Sequence, residues 1–333
     1  MAEAGGAVGW NSPFVLLVVA GLLSGLAGYY LSGPTDVAFV VSAKTRSLTM
    51  EWSCPDQLID WTLPAGPGGG TRFRTNTMAG YLALGAEAVP GRIQIRPGTL
   101  AEFRLGQGGA LHIALRASGP TEGAIAELFP AEGDSKGVTG ELYIIVPAGR
   151  EPLALPVRGN IRLGGVLSDG LDGSAILEQA SILARGQPLG GTETRTFLSE
   201  DVGPGSLLYS HPELVPPPGS AAQAAKGGWA QWCRTAPGKP PDYAVGLLQF
   251  EADAPLQVAF IRNGPAVGLR TLGAAVPDDG DVVRLSVTRW ALLTSSAWAQ
   301  TSVLLLTALL AGLSYLYQAG NKRIRLHSGE PGK

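Results

Sequence analysis

The sequence predicts a mainly β protein, in which an antiparallel β-sandwich or barrel-like region is flanked by an N-terminal and a C-terminal transmembrane helix. Two uncharged apolar stretches near the ends of the 333-residue chain predict the helices. Between them, apolar and polar residues alternate with a period of two, which is typical of half-buried strands. Frequent turns are expected because the chain contains 47 Gly and 25 Pro.

The first uncharged stretch lies between Glu3 and Asp36 and contains 32 residues. Its apolar segment, residues 14–31, would be about 27 Å long as an α-helix, close to the thickness of a bilayer's hydrocarbon core. The alternative is a cleaved signal peptide, since Gly25-Leu26-Ala27 loosely fits a small-x-small cleavage site. No Lys or Arg precedes the segment, so we expect a retained helix after a short N-terminus, residues 1–13.

The second uncharged stretch lies between Arg289 and Lys322 and also contains 32 residues. Within it, residues 298–317 are predicted as the second transmembrane helix. A basic tail follows, residues 318–333, whose topology-determining cations are Lys322, Arg323 and Arg325.

Positive charge near a membrane helix favours the cytoplasmic side, so the tail is predicted to be cytoplasmic. Two membrane passes then place both termini in the cytoplasm and residues 36–289 on the opposite side. The sequence therefore predicts a two-pass protein of the bacterial inner membrane with a periplasmic main domain.

Both predicted membrane helices carry small residues on one face. In the first helix these are Gly21, Gly25 and Gly28, and in the second they are Ala308 and Gly312. Such spacing favours close helix–helix packing inside a membrane. The alternative is that Gly and Ala are simply common in this chain.

The central region reads as short strands separated by Gly and Pro turns. Leu48, Met50 and Trp52, for example, alternate with polar neighbours. The same alternation recurs in residues 92–96, 111–116 and 283–288. A Pro-, Ala- and Gly-rich connector at residues 214–228 is either a seam between two subdomains or one long loop.

The chain has two cysteines, Cys54 and Cys233. In an oxidising periplasm they are predicted to form a disulfide, which would stabilise the fold by roughly 4–5 kcal/mol in the chain-entropy model. Two separate buried thiols are the alternative. Two cysteines also exclude a disulfide-dense scaffold, and they are too few for a Cys-based zinc ribbon or an iron–sulfur cluster held by this chain alone.

No catalytic, cofactor-binding or metal-binding residues are predicted. The net charge of −2 argues against a dedicated nucleic-acid binder. Only two histidines, His112 and His211, fall in the central region, so a three-histidine zinc site is excluded there, and no Gly-x-Ser-x-Gly motif is present. Four tryptophans would serve either as core or as a carbohydrate platform: Trp52, Trp61, Trp229 and Trp232.

These features predict a non-catalytic accessory or scaffolding subunit of a bacterial membrane complex. Its partners would be the lipid bilayer and other integral membrane proteins, contacted through the helices and the periplasmic domain. The alternative is a membrane-anchored module that binds envelope glycans or another ligand. A periplasmic hydrolase is the third and weakest hypothesis.

Overall fold

A computed structural model describes most of the β region and parts of the helices. The described residues are 13–52, 54, 57–65, 70–84, 90–106, 108–119, 123–130, 134–149, 151–164, 177–188, 192–211, 243–271, 283–296, 300–302, 304–305, 307–309, 311–312 and 315. The predicted seam at 214–228, the cysteine at 233 and the tail at 318–333 lie outside them.

The described residues are mainly β, as predicted, and their strands pair antiparallel. The strands are β1 Pro34–Thr35, β2 Val37–Thr45, β3 Ser47–Trp52, β4 Ile59–Leu63, β5 Arg72–Thr75, β6 Leu82–Ala83, β7 Gly91–Ile95, β8 Thr99–Leu105, β9 Leu111–Ala117, β10 Ala126–Phe129, β11 Lys136–Val138, β12 Glu141–Val146, β13 Leu153–Leu163, β14 Leu177–Gly186, β15 Arg195–Val202, β16 Ser206–Tyr209, β17 Ala244–Phe250, β18 Leu256–Gly264, β19 Ala266–Thr271 and β20 Val283–Thr288. The helices are α1 Pro13–Ser32 and α2 Arg289–Thr294, and the described residues between 300 and 315 are also helical.

The chain divides into two compact units, which are described separately. The helical unit comprises Met1–Gly33, Gly186–Arg195 and Thr288–Lys333, and the β unit comprises Pro34–Arg185 and Thr196–Val287. Within the helical residues that the structure describes, no helix is long and apolar enough to cross a membrane.

Three sheets form the β unit. The first has the order β15-β14-β2-β18-β17-β13, the second continues from β13 through β3-β8-β9-β12-β5-β6, and the third is β11-β10-β7-β4. A short branch of β16, β19, β20 and β1 joins the second sheet at β13. The two larger sheets therefore share one strand.

Strand β13 crosses from the first sheet to the second at Gly159. Its first half pairs with β17 and its second half, from Asn160, pairs with β3. Gly159 has a φ of +111°, and a Cβ there would overlap the carbonyl oxygen of Glu51. Only glycine combines this backbone conformation with so close an approach, so this residue lets one strand serve two sheets.

The third sheet packs over the second, an arrangement consistent with the predicted β-sandwich. Trp61 of β4 and Phe103 of β8 meet between the layers, with ring centroids 5.3 Å apart. The indole N–H of Trp61 also donates a 3.0 Å hydrogen bond to the carbonyl oxygen of Pro156 in β13. Both aromatic side chains are fully buried, so they form the centre of this core.

The alternation read from the sequence holds in three of its four segments. Residues Leu48, Met50 and Trp52 are buried, as are the apolar positions of 92–96 and 111–116. The fourth segment, β20, is a strand, but Val283 is 57% exposed. The predicted alternation of burial is therefore wrong at the start of β20, which belongs to the short branch rather than to a central sheet position.

Candidate functional site

The outward side of β5, β12, β9 and β8 carries more positive than negative charge, and we call it the cationic face. Four arginines and one histidine stand there beside two glutamates: Arg72, Arg74, Arg104, Arg116, His112, Glu102 and Glu141. The alternating apolar residues of the same strands are buried. The period-two pattern therefore places all of these polar side chains on one surface.

A cleft of about 250 Å³ opens in the middle of the cationic face. Its floor lies at Ala114, which stands in register between Glu102 on β8 and Tyr143 on β12. Because a small side chain sits between two large ones, the surface is recessed there. The side chains around this recess include Tyr81, Glu102, Arg104, His112, Tyr143 and Ile145.

Two tyrosines form one wall of the cleft, and Arg74, which is not itself a lining residue, lies against both of their rings. The guanidinium carbon of Arg74 lies 5.2 Å from the ring centroid of Tyr81 and 5.3 Å from that of Tyr143. Such cation–π contacts hold a guanidinium in place without neutralising it. Among the described residues, no carboxylate forms an ion pair with Arg74.

The hydroxyl of Tyr143 is committed to a neighbour. It donates a 2.7 Å hydrogen bond to a carboxylate oxygen of Glu141. This hydrogen bond raises the pKa of Tyr143 above its ordinary value, because the neutral phenol is the donor. The tyrosine therefore offers its ring to the cleft, while its hydroxyl is hydrogen-bonded to Glu141.

The opposite wall carries donors and one acceptor. Glu102 accepts a hydrogen bond from Arg116 and lies 3.7 Å from a guanidinium nitrogen of Arg104. The side chain of Arg104 is 65% exposed. His112 lies over Gly106, where a Cβ would overlap its imidazole, so the glycine leaves room for the ring beside the cleft.

Glu51 lies at the margin of the cationic face. It stands opposite Leu100, which in turn is in register with Arg116. Burial raises the pKa of Glu51 from 4.5 to about 7, although a hydrogen bond from Ser118 and the charge of Arg162 act in the opposite direction. A glutamate partly neutral near pH 7 adds to the excess of positive charge nearby.

The outward side of β4, β7 and β10 is different, and we call it the paired face. Arg92 donates to Asp60 at 3.0 Å, and Arg96 donates to Glu127 at 2.9 Å. Each carboxylate accepts a further hydrogen bond, from Gln94 and Ser135 respectively. The contacts of Ser135 and Arg96 lower the pKa of Glu127.

A buried hydroxyl–imidazole pair occurs at Ser210 and His211. The Ser210 Oγ lies 3.0 Å from the His211 Nδ1, but Ser210 is fully buried and His211 is 2% exposed. The same Oγ accepts a hydrogen bond from the backbone N–H of Ile161 and donates to the Asn160 side chain. These contacts fix the end of β16 against β13, so the pair has a structural role.

The predicted tryptophan platform is only partly described. Trp52 and Trp61 are fully buried, so both are core residues. Trp229 and Trp232 lie outside the described residues.

Of the predicted cysteine pair, Cys54 is disulfide-bonded. The sequence contains one other cysteine, Cys233, which lies outside the described residues. Their pairing stays a prediction.

Within the helical unit, Arg289 joins the end of α1 to the start of α2. Its backbone N–H donates to the Gly33 carbonyl oxygen at 3.1 Å, and its guanidinium donates to the Tyr30 carbonyl oxygen at 3.1 Å. The same guanidinium lies 4.3 Å from the centroid of the Tyr30 ring. Arg195 donates to the carbonyl oxygen of Ser295 at 2.7 Å, beyond the last turn of α2.

The structure describes the predicted helix-packing residues as exposed. A Cβ at Gly21, Gly25, Gly28 or Gly312 would meet no atom within 4 Å outside its own helix turn. Ala308 is likewise exposed. The topology-determining cations Lys322, Arg323 and Arg325 lie outside the described residues.

The sequence predicted an alternating segment at residues 111–116, which contains His112, but gave no indication of Arg74, Tyr81 or Tyr143. The missing signal was the register between strands, which aligns Arg74 with Tyr143 and Tyr143 with Ala114.

In the described part of the chain, no three His, Cys, Asp or Glu residues are grouped so as to hold a metal ion. No protein-family model, curated protein or solved structure matches the chain.

Proposed function

We propose that the chain is a non-catalytic accessory or scaffolding subunit of a bacterial inner-membrane complex, held in the bilayer by two helices, with its β unit in the periplasm. The observation that carries this proposal is the helical unit. Residues near both ends of the sequence meet there through Arg289. The end of the first uncharged segment thus lies beside the start of the second, as expected of a two-pass anchor.

Exposure of the apolar helices supports the same proposal. In α1, Leu22 is 63% exposed and Leu26 is 66% exposed, and Leu305 in the C-terminal helical residues is 71% exposed. A helix that presents apolar side chains on every side is unfavourable in water and favourable in lipid or in a larger membrane assembly. The open positions at Gly21, Gly25 and Gly28 would suit helices of other subunits.

Purification of the full chain in mild detergent tests the assembly. We expect other integral membrane proteins to accompany it in fixed stoichiometry. A Gly25→Ile variant should lose them, because the added side chain prevents close helix approach. Leu26→Ile is the control and should retain them. A homogeneous preparation without partners would contradict the accessory role.

Protease treatment of spheroplasts tests the topology separately. The β unit should be digested, while a tag after Lys333 should survive until the membrane is permeabilised. Without reductant, thiol reagents should label neither Cys54 nor Cys233. Digestion of the tag with survival of the β unit would invert the proposed orientation.

A second candidate function, a ligand-binding module, is favoured by the cleft on the cationic face. The described tryptophans do not supply its binding surface, since Trp52 and Trp61 are buried. The tyrosine pair with Arg74 would serve instead. A hydrolase gains no support from Ser210 and His211, whose contacts are those of a packed strand end.

A further inference from the structure

We infer that the cleft on the cationic face binds a carboxylated sugar ring, such as a uronic-acid residue of an acidic polysaccharide. The inference rests on the second candidate function, and it does not depend on the membrane anchor or on the partners of the helices.

The size of the cleft limits the ligand. Its volume of about 250 Å³ lies below the range of roughly 300–1,000 Å³ that holds drug-sized molecules. One ring with its substituents fits such a volume. The recess lies over β8, β9 and β12, whose backbones are paired on both sides, so it does not offer the unpaired backbone that an extended peptide would need.

The charge of the cleft selects an anion. Arg104 lines the cleft, and its neighbour Glu102 also binds Arg116, so that one carboxylate serves two arginines. Arg74 is not itself a lining residue, but it lies against the two tyrosine rings that are, and no carboxylate among the described residues forms an ion pair with it. An arginine presents several donors in a planar fork suited to a carboxylate. A carboxylated ligand would supply the negative charge that this part of the surface lacks.

The remaining side chains suit hydroxyl groups better than they suit a simple anion. Glu102 is a hydrogen-bond acceptor, and Arg104 and His112 bring side-chain nitrogens to the same recess. The rings of Tyr81 and Tyr143 add flat apolar surfaces. A sugar ring needs both acceptors and donors for its hydroxyls, together with an apolar surface for its C–H groups. An acidic peptide side chain offers Glu102 no hydroxyl donor, whereas a uronic acid carries hydroxyl groups beside its carboxylate.

Isothermal titration calorimetry on the full chain in detergent, with an oligosaccharide of glucuronic acid, tests the inference. The matched ligands are a neutral glucose oligosaccharide of the same length, free glucuronate and a short polyglutamate peptide. We expect the acidic oligosaccharide to bind about tenfold or more tightly than the neutral one, since charge-assisted hydrogen bonds are the stronger kind. Free glucuronate should compete for the same site, and the peptide should not.

Three variants locate the binding. Arg74→Gln should weaken binding about tenfold or more by removing the charge. Ala114→Leu should abolish binding by filling the recess without altering charge. The control is Arg92→Gln on the paired face, because Arg92 also lies over an aromatic ring, that of Phe129, at 5.3 Å. This control should bind like the unaltered chain.

Several outcomes would overturn the inference. These are equal binding of acidic and neutral oligosaccharides, equal weakening by Arg74→Gln and Arg92→Gln, and tighter binding of the polyglutamate peptide. Circular dichroism of each variant shows whether it is folded. If Ala114→Leu fails to fold, Arg74→Gln and the ligand series still decide the question. Loss of the membrane partners in the Gly25→Ile variant with intact sugar binding would separate this inference from the accessory role.

Discussion

The cationic face and the paired face belong to two layers of the same sandwich, yet the arginines on the two faces make different contacts. On the paired face, Arg92 and Arg96 each donate to a carboxylate that a second side chain also contacts. On the cationic face, Arg74 is held by aromatic rings instead. The contrast teaches that Arg92 and Arg96 have carboxylate partners within their sheet, whereas Arg74 is positioned by aromatic rings without an ion pair among the described residues.

The largest effect on stability should come from the core that lies between the two faces. Trp61→Ala removes the side chain between the layers and should lower the free energy of unfolding by about 3–5 kcal/mol. Chemical denaturation measures this loss. Leu58→Ala is the control, since Leu58 is 45% exposed, and should cost less than about 1 kcal/mol. Equal losses would mean that the two sheets do not depend on this contact.

An intermediate effect is expected at Glu51, whose pKa is raised to about 7. Between about pH 4.5 and pH 7 the folded state binds more protons at this group than the unfolded state, so its contribution makes the protein less stable as the pH rises. Glu51→Gln should remove this dependence and raise stability at pH 8 by about 1–3 kcal/mol. Denaturant titrations at pH 4.5, 6 and 8 test the sign. Parallel pH profiles for the two proteins would show that Glu51 titrates normally.

The smallest effects should be those of the arginines on stability. Arg92→Gln breaks an exposed ion pair and should cost less than about 1 kcal/mol. Arg74→Gln removes exposed cation–π contacts and should cost about 0.5–1 kcal/mol. Because ion pairs are screened by salt, added sodium chloride should shrink the Arg92→Gln effect more clearly. A loss of stability well above these values at either position would mean that the arginine is needed for folding.

The sequence was sufficient for the class of fold and for much of the core. Period-two alternation identified the buried side chains of β3, β7 and β9, since burial of one strand face imposes that pattern. The course of β13 could not be predicted in this way. Gly159 carries that strand into another sheet by its close approach to the distant Glu51 backbone, and this contact cannot be read from the local sequence.

The candidate cleft could be predicted only in part for the same reason. The alternation at residues 111–116 predicted one strand with a polar side. The recess arises because Ala114 stands between Glu102 and Tyr143, residues that come from three strands. Their alignment depends on strand register, and Tyr81 reaches Arg74 from a connection after β5. Neither relation has a signature within a short stretch of sequence.

Hydroxyl-radical footprinting of the full chain, with and without the glucuronic-acid oligosaccharide, tests most directly which face binds. Aromatic side chains on both faces report in the same experiment, with Tyr81 and Tyr143 on the cationic face and Phe129 on the paired face. We predict that the acidic oligosaccharide protects Tyr81 and Tyr143 and leaves Phe129 unchanged, and that the neutral oligosaccharide protects none of them. Protection of Phe129, or unchanged oxidation of both tyrosines at saturating ligand, would contradict the assignment of the cationic face as a binding surface.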